Sequence, residues 1–210
     1  MTSLARSERA ALCDLFEAVG PDAPTLCGPW TTRDLAAHLV VRESRPDAAA
    51  GIVVGPLAGW TRRVQDTAAG DDWTTLVDRV RNGPPRWSPI RLGRLDEAVN
   101  SIEFFVHHED VRRAATGWQP RPLDADTSRQ LWRIIGQRAR LYFRHSPVGV
   151  VLRTPDGRRL VLGRPESQVT LVGDPGELTL YMHGRTSHSL VELQGDPHAV
   201  EAFETTDLSV

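Results

Sequence analysis

The chain has 210 residues, of which 40% are hydrophobic and 25% charged, with a formal net charge of −2. That length allows one sizeable core or two small ones, and the composition is that of an ordinary globular protein. The near balance of charge excludes a partner held by polyanion attraction, so no nucleic-acid partner is expected. All 25 basic residues are arginine, with no lysine. Codon bias in a GC-rich genome explains that, although the planar guanidinium also suits carboxylates and phosphates. Cys13 and Cys27 form no CxxC pair and suggest no disulfide framework. Residues 1–12 lack the basic-then-apolar run of a signal peptide. No stretch approaches the roughly 20 apolar residues of a membrane span. A reducing cytoplasm is the expectation.

In chain order, residues 3–19 have helical spacing at Leu4, Ala11, Leu12, Leu15, Phe16 and Val19, stopped by Gly20-Pro21. A loop to Trp30 follows. Thr31 or Thr32 caps the next helix, with Asp34 in its first turn. That helix carries Leu35, Ala36, His38, Leu39 and Arg42, and ends near Pro46. A short helical piece fits 47–54 and another 57–68. Asp71-Asp72-Trp73 opens a helix through Val80, ended by Asn82-Gly83-Pro84-Pro85. The stretch 84–93 reads as an ordered loop anchored by Trp87 and Ile90. Residues 94–116 form the longest helical pattern, with Leu95, Val99, Ile102, Phe105 or Val106, and Val111. Another helix fits 124–144, through Leu131, Trp132, Ile134, Ile135 and Leu141.

After Pro147 the pattern changes. Strands at 148–152 and 159–162 flank Thr154-Pro155-Asp156-Gly157, a hairpin signal. A strand at 169–172 precedes a helix opened by Gly173-Asp174-Pro175. A fourth strand fits 190–193, and Asp196-Pro197 starts a last helix with proline at its first position. The fold class expected is α+β: a helical bundle over 1–145, then a small α+β domain over 146–210.

Chemistry concentrates in Glu103-Phe104-Phe105-Val106-His107-His108-Glu109-Asp110. Residues four apart on a helix share a face, so Glu103 and His107 project together, with Asp110 three residues further on. A carboxylate and an imidazole converging on one point suit a borderline divalent ion. The competing reading is an exposed i,i+4 pair, which the apolar neighbours Ile102, Phe105 and Val106 disfavour. A buried Glu needs a partner charge or loses its own. A third ligand must come from elsewhere, and His38 is the candidate; its alternative is a hydrogen-bonded core histidine. His108 is turned about 100° from His107 and faces another way. Asp110 either orients His107 and moves protons or pairs with Arg113. Arg42, on the face of His38, either meets a substrate carboxylate or makes a plain salt bridge. Cys27 is either a reactive thiol or a small buried residue in a turn. His145, His183, His188 and His198 lack ligand spacing. No nucleophile elbow, P-loop or dinucleotide fingerprint occurs.

Trp30-Thr31-Thr32-Arg33-Asp34-Leu35-Ala36-Ala37-His38-Leu39, followed by Glu103-x-x-x-His107-x-x-Asp110, resembles the DinB-like superfamily. Within it, the closest resemblance is to the mycothiol-dependent maleylpyruvate isomerase group and its metal-binding relatives. Gly173-Asp174-Pro175-Gly176-Glu177-Leu178 to Gly184-Arg185 is similar to that group's second, sterol-carrier-like domain. The resemblance implies a four-helix bundle with a metal, typically zinc, on His38, Glu103 and His107. It also implies a low-molecular-weight thiol such as mycothiol at the open metal position. The function expected is a metal-dependent enzyme using that thiol for S-transfer or isomerisation of a small electrophilic substrate. Asp110 and Arg42 are the catalytic candidates. The rival is a non-catalytic protein whose metal braces the bundle or whose second domain binds a ligand or partner.

Overall fold

The computed structural model describes residues 3–45, 58–83, 95–163, 167–206 and 208. The pieces expected at 47–54 and 84–93, with Trp87 and Ile90, lie outside the described residues. The fold is α+β, as expected; among the described residues the N-terminal part holds helices and the strands lie in the C-terminal part. Two compact units divide at Gln119/Pro120.

The first unit contains, among the described residues, helices α1 (Leu4–Val19), α2 (Thr32–Ser44), α3 (Ala58–Ala69), α4 (Trp73–Asn82) and α5 (Leu95–Arg113). Helix α1 packs on α4 and α5, and α2 packs on α3 and α4. Three of these helices are amphipathic in the ordinary way. In α4, Leu76, Val77 and Val80 face inward while Asp78 and Arg79 are exposed. Helices α2 and α5 differ: burial runs all round them, from Leu35 to Val41 in α2 and from Phe104 to Val111 in α5. They are the interior helices, and their polar residues are therefore enclosed. Thr31 is the cap of α2, and a full capping box joins it to Asp34, each side chain bonding the other's backbone N–H. The core gathers Leu12, Phe16, Leu35, Leu39, Leu76 and Phe104.

The second unit holds α6 (Ala125–Tyr142), β1 (Gly149–Arg153), β2 (Arg159–Leu162), β3 (Gln168–Val172), α7 (Pro175–Met182), β4 (Glu192–Gly195) and α8 (Pro197–Glu204). The sheet order is β2-β1-β3-β4, antiparallel at both edges and parallel between β1 and β3. The expected hairpin forms, with Thr154 N donating to the Arg158 carbonyl (3.0 Å) and Gly157 at φ 90°, a conformation glycine tolerates. Val150, Leu152, Val169 and Leu171 pack with Leu178, Met182 and Phe203.

Two expectations differ in placement. The domain boundary expected after residue 145 put α6 with the bundle. Here Ile135, Ala139 and Tyr142 of α6 join the core of the second unit instead. Apolar periodicity identifies a helix but not which sheet or bundle receives its face. The fourth strand, expected at 190–193, runs Glu192–Gly195, with Val172 paired to Glu192 and Val169 to Gly195. Leu190 is left exposed, because the backbone before the strand is held elsewhere: Leu190 N donates to Glu177 Oε2 at 2.8 Å.

Candidate metal centre

Four stretches of the first unit converge on one place. Helix α2 supplies His38, α5 supplies Glu103, His107 and Asp110, α3 supplies Gln65, and the loop between α1 and α2 supplies Cys27. That loop is tightly built. Pro24 and Thr31 form an isolated β-bridge. Thr25 Oγ1 accepts from Cys27 N (3.1 Å) and donates to the Trp30 carbonyl (2.8 Å). Gly28 takes φ 67°, which lets the chain reverse. Leu26 N donates to the Asp110 carbonyl at 3.1 Å, which fastens the loop to α5.

His107 is held from both sides. Its Nδ1 lies 2.9 Å from Asp110 Oδ2, and its Nε2 lies 3.4 Å from Glu103 Oε2. Cys27 Sγ donates to Asp110 Oδ2 at 3.1 Å and sits 3.7 Å from His107 Nδ1. The His38 ring stands at 75° to that of His107 with centroids 5.6 Å apart, and Trp30 covers it at 5.1 Å. His38 Nδ1 meets Gln65 Nε2 at 2.9 Å. Arg42 Nε lies 3.6 Å from Glu103 Oε2, and its Nη1 donates to Asn100 Oδ1 at 2.7 Å.

Among the described residues, two groups could hold a metal ion: His38, Glu103 and His107, and Cys27, His107 and Asp110. In each, the ligand atoms lie within 4.8 Å of one another. The first group fits a borderline divalent ion best. Two ligands on a tetrahedral ion with bonds of ~2.1 Å sit about 3.4 Å apart, matching the 3.4 Å between His107 Nε2 and Glu103 Oε2. The second nitrogen of each histidine already has a partner, Asp110 for His107 and Gln65 for His38. Metal-binding histidines characteristically donate the other ring N–H to a carboxylate, as the contact of His107 with Asp110 allows.

The electrostatics follow from burial and pairing. Burial dominates at His38 and, with the charge of His107 beside it, lowers its pKa from 6.5 to about 3, so the ring is neutral. Burial acts the same way on His107. The hydrogen bonds with Asp110, Cys27 and Glu103, and the Asp110 charge, outweigh it and raise His107 well above 6.5. Burial would raise Glu103, but the bond with His107 and the charges of His107 and Arg42 bring it from 4.5 to about 2. The Glu103 side chain is 33% exposed against 11% for His107, so the cluster opens to solvent on the Glu103 and Arg42 side.

The residues expected to converge do so. His108 faces away, 2.9 Å from Glu8 Oε2. Arg113 Nε donates to Glu109 Oε2 at 2.6 Å, while Asp110 turns to His107. Asp34 serves the cap of α2. Cys27 is half-buried beside Asp110, within the constellation. Gln65 was not anticipated: it sits 27 residues from His38 on an amphipathic helix, with nothing local to mark it.

A helical unit enclosing a His-Glu-His cluster, continued by a small mixed sheet, defines the architecture, and it has solved counterparts. Over 93% of its length the chain is similar to a histidine-to-alanine mutant of mycothiol-dependent maleylpyruvate isomerase, with TM-score 0.61, 16% identity and 97% of that chain covered. It is similar to that isomerase without the mutation over the same shares of both chains, with TM-score 0.54 and 16% identity. The chain therefore has the fold of the mycothiol-dependent maleylpyruvate isomerase, in agreement with the resemblance read from residues 30–39 and 103–110. No family model matches the chain, and no curated protein sequence does. No helix among the described residues is long and apolar enough to cross a membrane.

Proposed function

We propose that this protein is an enzyme dependent on one divalent metal ion, held by His38, Glu103 and His107. It uses a low-molecular-weight, mycothiol-like thiol for S-transfer to, or isomerisation of, a small electrophilic substrate. The observation that carries the reading is the convergence of three ligand atoms from two interior helices within 4.8 Å, with His107 oriented from behind by Asp110. The donor set of two imidazoles and one carboxylate favours zinc, and three protein ligands leave a position open. The similar solved structures are of an isomerase that is mycothiol-dependent, which supports a thiol as the occupant.

When bound, such a cation supplies charge that holds a thiol as thiolate at neutral pH, far below its free value of about 8.5. The chain's own residues do the rest. Asp110 fixes His107 through Nδ1, directs Nε2 at the cluster, and is placed to take and return the Nδ1 proton. Arg42, part-exposed on the open side, holds Glu103 and offers its guanidinium to an acidic group on the substrate. Trp30 covers His38 and keeps water from that side of the ring.

Metal analysis of protein purified without an affinity tag tests this directly, with about one equivalent expected. His107→Ala, folded by circular dichroism, should lose both metal and thiol binding. Thiol binding that survives in that variant counts against the mechanism. A bound metal with all its positions filled by protein side chains, and no thiol binding, would instead assign the ion to bracing the bundle.

A further inference from the structure

The loop that closes on α5 brings a second set of donors to the far edge of the His107 ring. Nε2 of that ring lies toward Glu103, at 3.4 Å from Oε2. Nδ1 lies 2.9 Å from Asp110 Oδ2 and 3.7 Å from Cys27 Sγ, and Sγ and Oδ2 are 3.1 Å apart. Sulfur, nitrogen and oxygen within 4.8 Å of one another make a mixed ligand set for one cation. On a tetrahedral ion with bonds of ~2.3 Å to sulfur and ~2.1 Å to nitrogen, those two ligands sit about 3.6 Å apart, close to the 3.7 Å found. Asp110 Oδ2 stands nearer to both than a shared ion allows. A retreat of about half an ångström by that oxygen turns the hydrogen-bonded trio into a ligand set.

The sulfur is held in place. Cys27 N donates to Thr25 Oγ1 at 3.1 Å, and Leu26 N donates to the Asp110 carbonyl at 3.1 Å, so the loop and α5 hold station together. Cys27 is half-buried, which leaves a cation a way in. Cys13 is wholly buried, and that burial pushes its thiol up to about 12.

We infer that Cys27, His107 and Asp110 form a second cation site, back to back with the first across the His107 ring and selective for thiophilic divalent ions such as Zn2+ or Cd2+ over Mg2+ or Ca2+. It shares one ligand with the metal centre proposed above but does not rest on it, because Cys27 and Asp110 are not ligands there. Two ions on one imidazole are held roughly 6 Å apart, by bonds of ~2 Å on either side of the ring. Paired catalytic ions that clamp one reacting group stand closer, at ~3.5–4 Å. The second ion therefore does not share the substrate. It binds Asp110 and Nδ1 to itself, and on the function proposed above it stops the proton transfer made there. It enters beside the charge of the first ion and is the more weakly held of the two.

Co2+ reports the site, because a thiolate ligand adds a sulfur-to-cobalt charge-transfer absorption in the near ultraviolet that nitrogen and oxygen ligands do not. After dialysis against a chelator, the full chain should take up two equivalents of Co2+, one of them with that absorption. Cys27→Ala, folded by circular dichroism, should lose that equivalent and the absorption, and Cys13→Ala should keep both. Glu103→Ala should keep the absorption and bind one equivalent. Excess Mg2+ should leave the absorption in place, and its loss to Mg2+ would overturn the selectivity. A wild type without the absorption overturns the inference, as does an absorption unchanged in Cys27→Ala. A single equivalent in the wild type that carries the absorption, lost in Cys27→Ala and kept in Glu103→Ala, supports this site and sinks the reading of His38, Glu103 and His107 as the metal centre.

Discussion

The interiors of the two units are built on opposite principles. In the second, β1 and β3 interleave valines and leucines beneath α7 and α8, and among the described residues Glu177 is the one buried side chain of the Asp, Glu, Arg or His kind. In the first, the longest interior helix buries His107, His108, Glu109, Asp110 and Arg113 in the space of seven residues. Each has its answer. Glu109 takes Arg112 and Arg113, His108 takes Glu8, and Arg9 of α1 reaches Glu43 and the Val80 carbonyl. Buried ion pairs seldom exceed apolar packing as a source of stability. A unit that carries so many is organised around what its polar groups do, whereas the second unit is organised around its own cohesion.

That contrast can be broken in order of expected effect. Glu109→Ala leaves Arg113 enclosed without its carboxylate and should cost about 3–5 kcal/mol by denaturant titration. Phe203→Ala, in the apolar core of the second unit, should cost a similar ~3–5 kcal/mol through lost contacts and a cavity. The two should differ in salt and pH response, with only Glu109→Ala altering the pH dependence of unfolding. Identical profiles would erase the distinction drawn here. Next, Asp110→Asn keeps size but weakens the grip on His107 Nδ1, and Zn2+ affinity should drop about 10–100-fold; an unchanged affinity would leave Asp110 without its orienting role.

Proton competition sharpens the same point. His107 is raised well above 6.5, so near neutral pH a metal must displace its proton, while His38, lowered to about 3, has none to give up. Affinity should therefore rise about tenfold per pH unit until the folded His107 value is passed, with one proton released per ion by calorimetry in two buffers. In the metal-free protein the sign reverses. Stability contributed by His107 is complete below about 6.5 and is lost as pH rises through its raised folded value. Metal affinity flat between pH 6 and 7 would exclude that ionisation. The smallest effect is local: Thr31→Ala removes half of the capping box on α2 and should cost about 1 kcal/mol.

The sequence carried the cluster's outline because α-helical geometry is local. Glu103 and His107 share a face by spacing alone, and His38 stands out as a polar residue among Leu35, Ala36 and Leu39. It did not carry Gln65 or the place of Cys27, since both reach the centre through contacts 27 and 83 residues long. The helix expected over 124–144, found as α6 (Ala125–Tyr142), read correctly as a helix and was assigned to the other unit for the same reason. The edge strand slipped by two residues because Leu190 looks like a strand residue, while its N–H is taken by a carboxylate of α7.

Fastening the α1–α2 loop to α5 also dictates when the centre can come into being. Cys27 and Asp110 are separated by 83 residues, roughly 4–17 s of ribosomal synthesis. Of the three proposed ligands, a nascent chain has exposed His38 alone for most of that interval. On the metal reading proposed above, acquisition of the ion is thus confined to a finished bundle, after the last interior helix has emerged and docked.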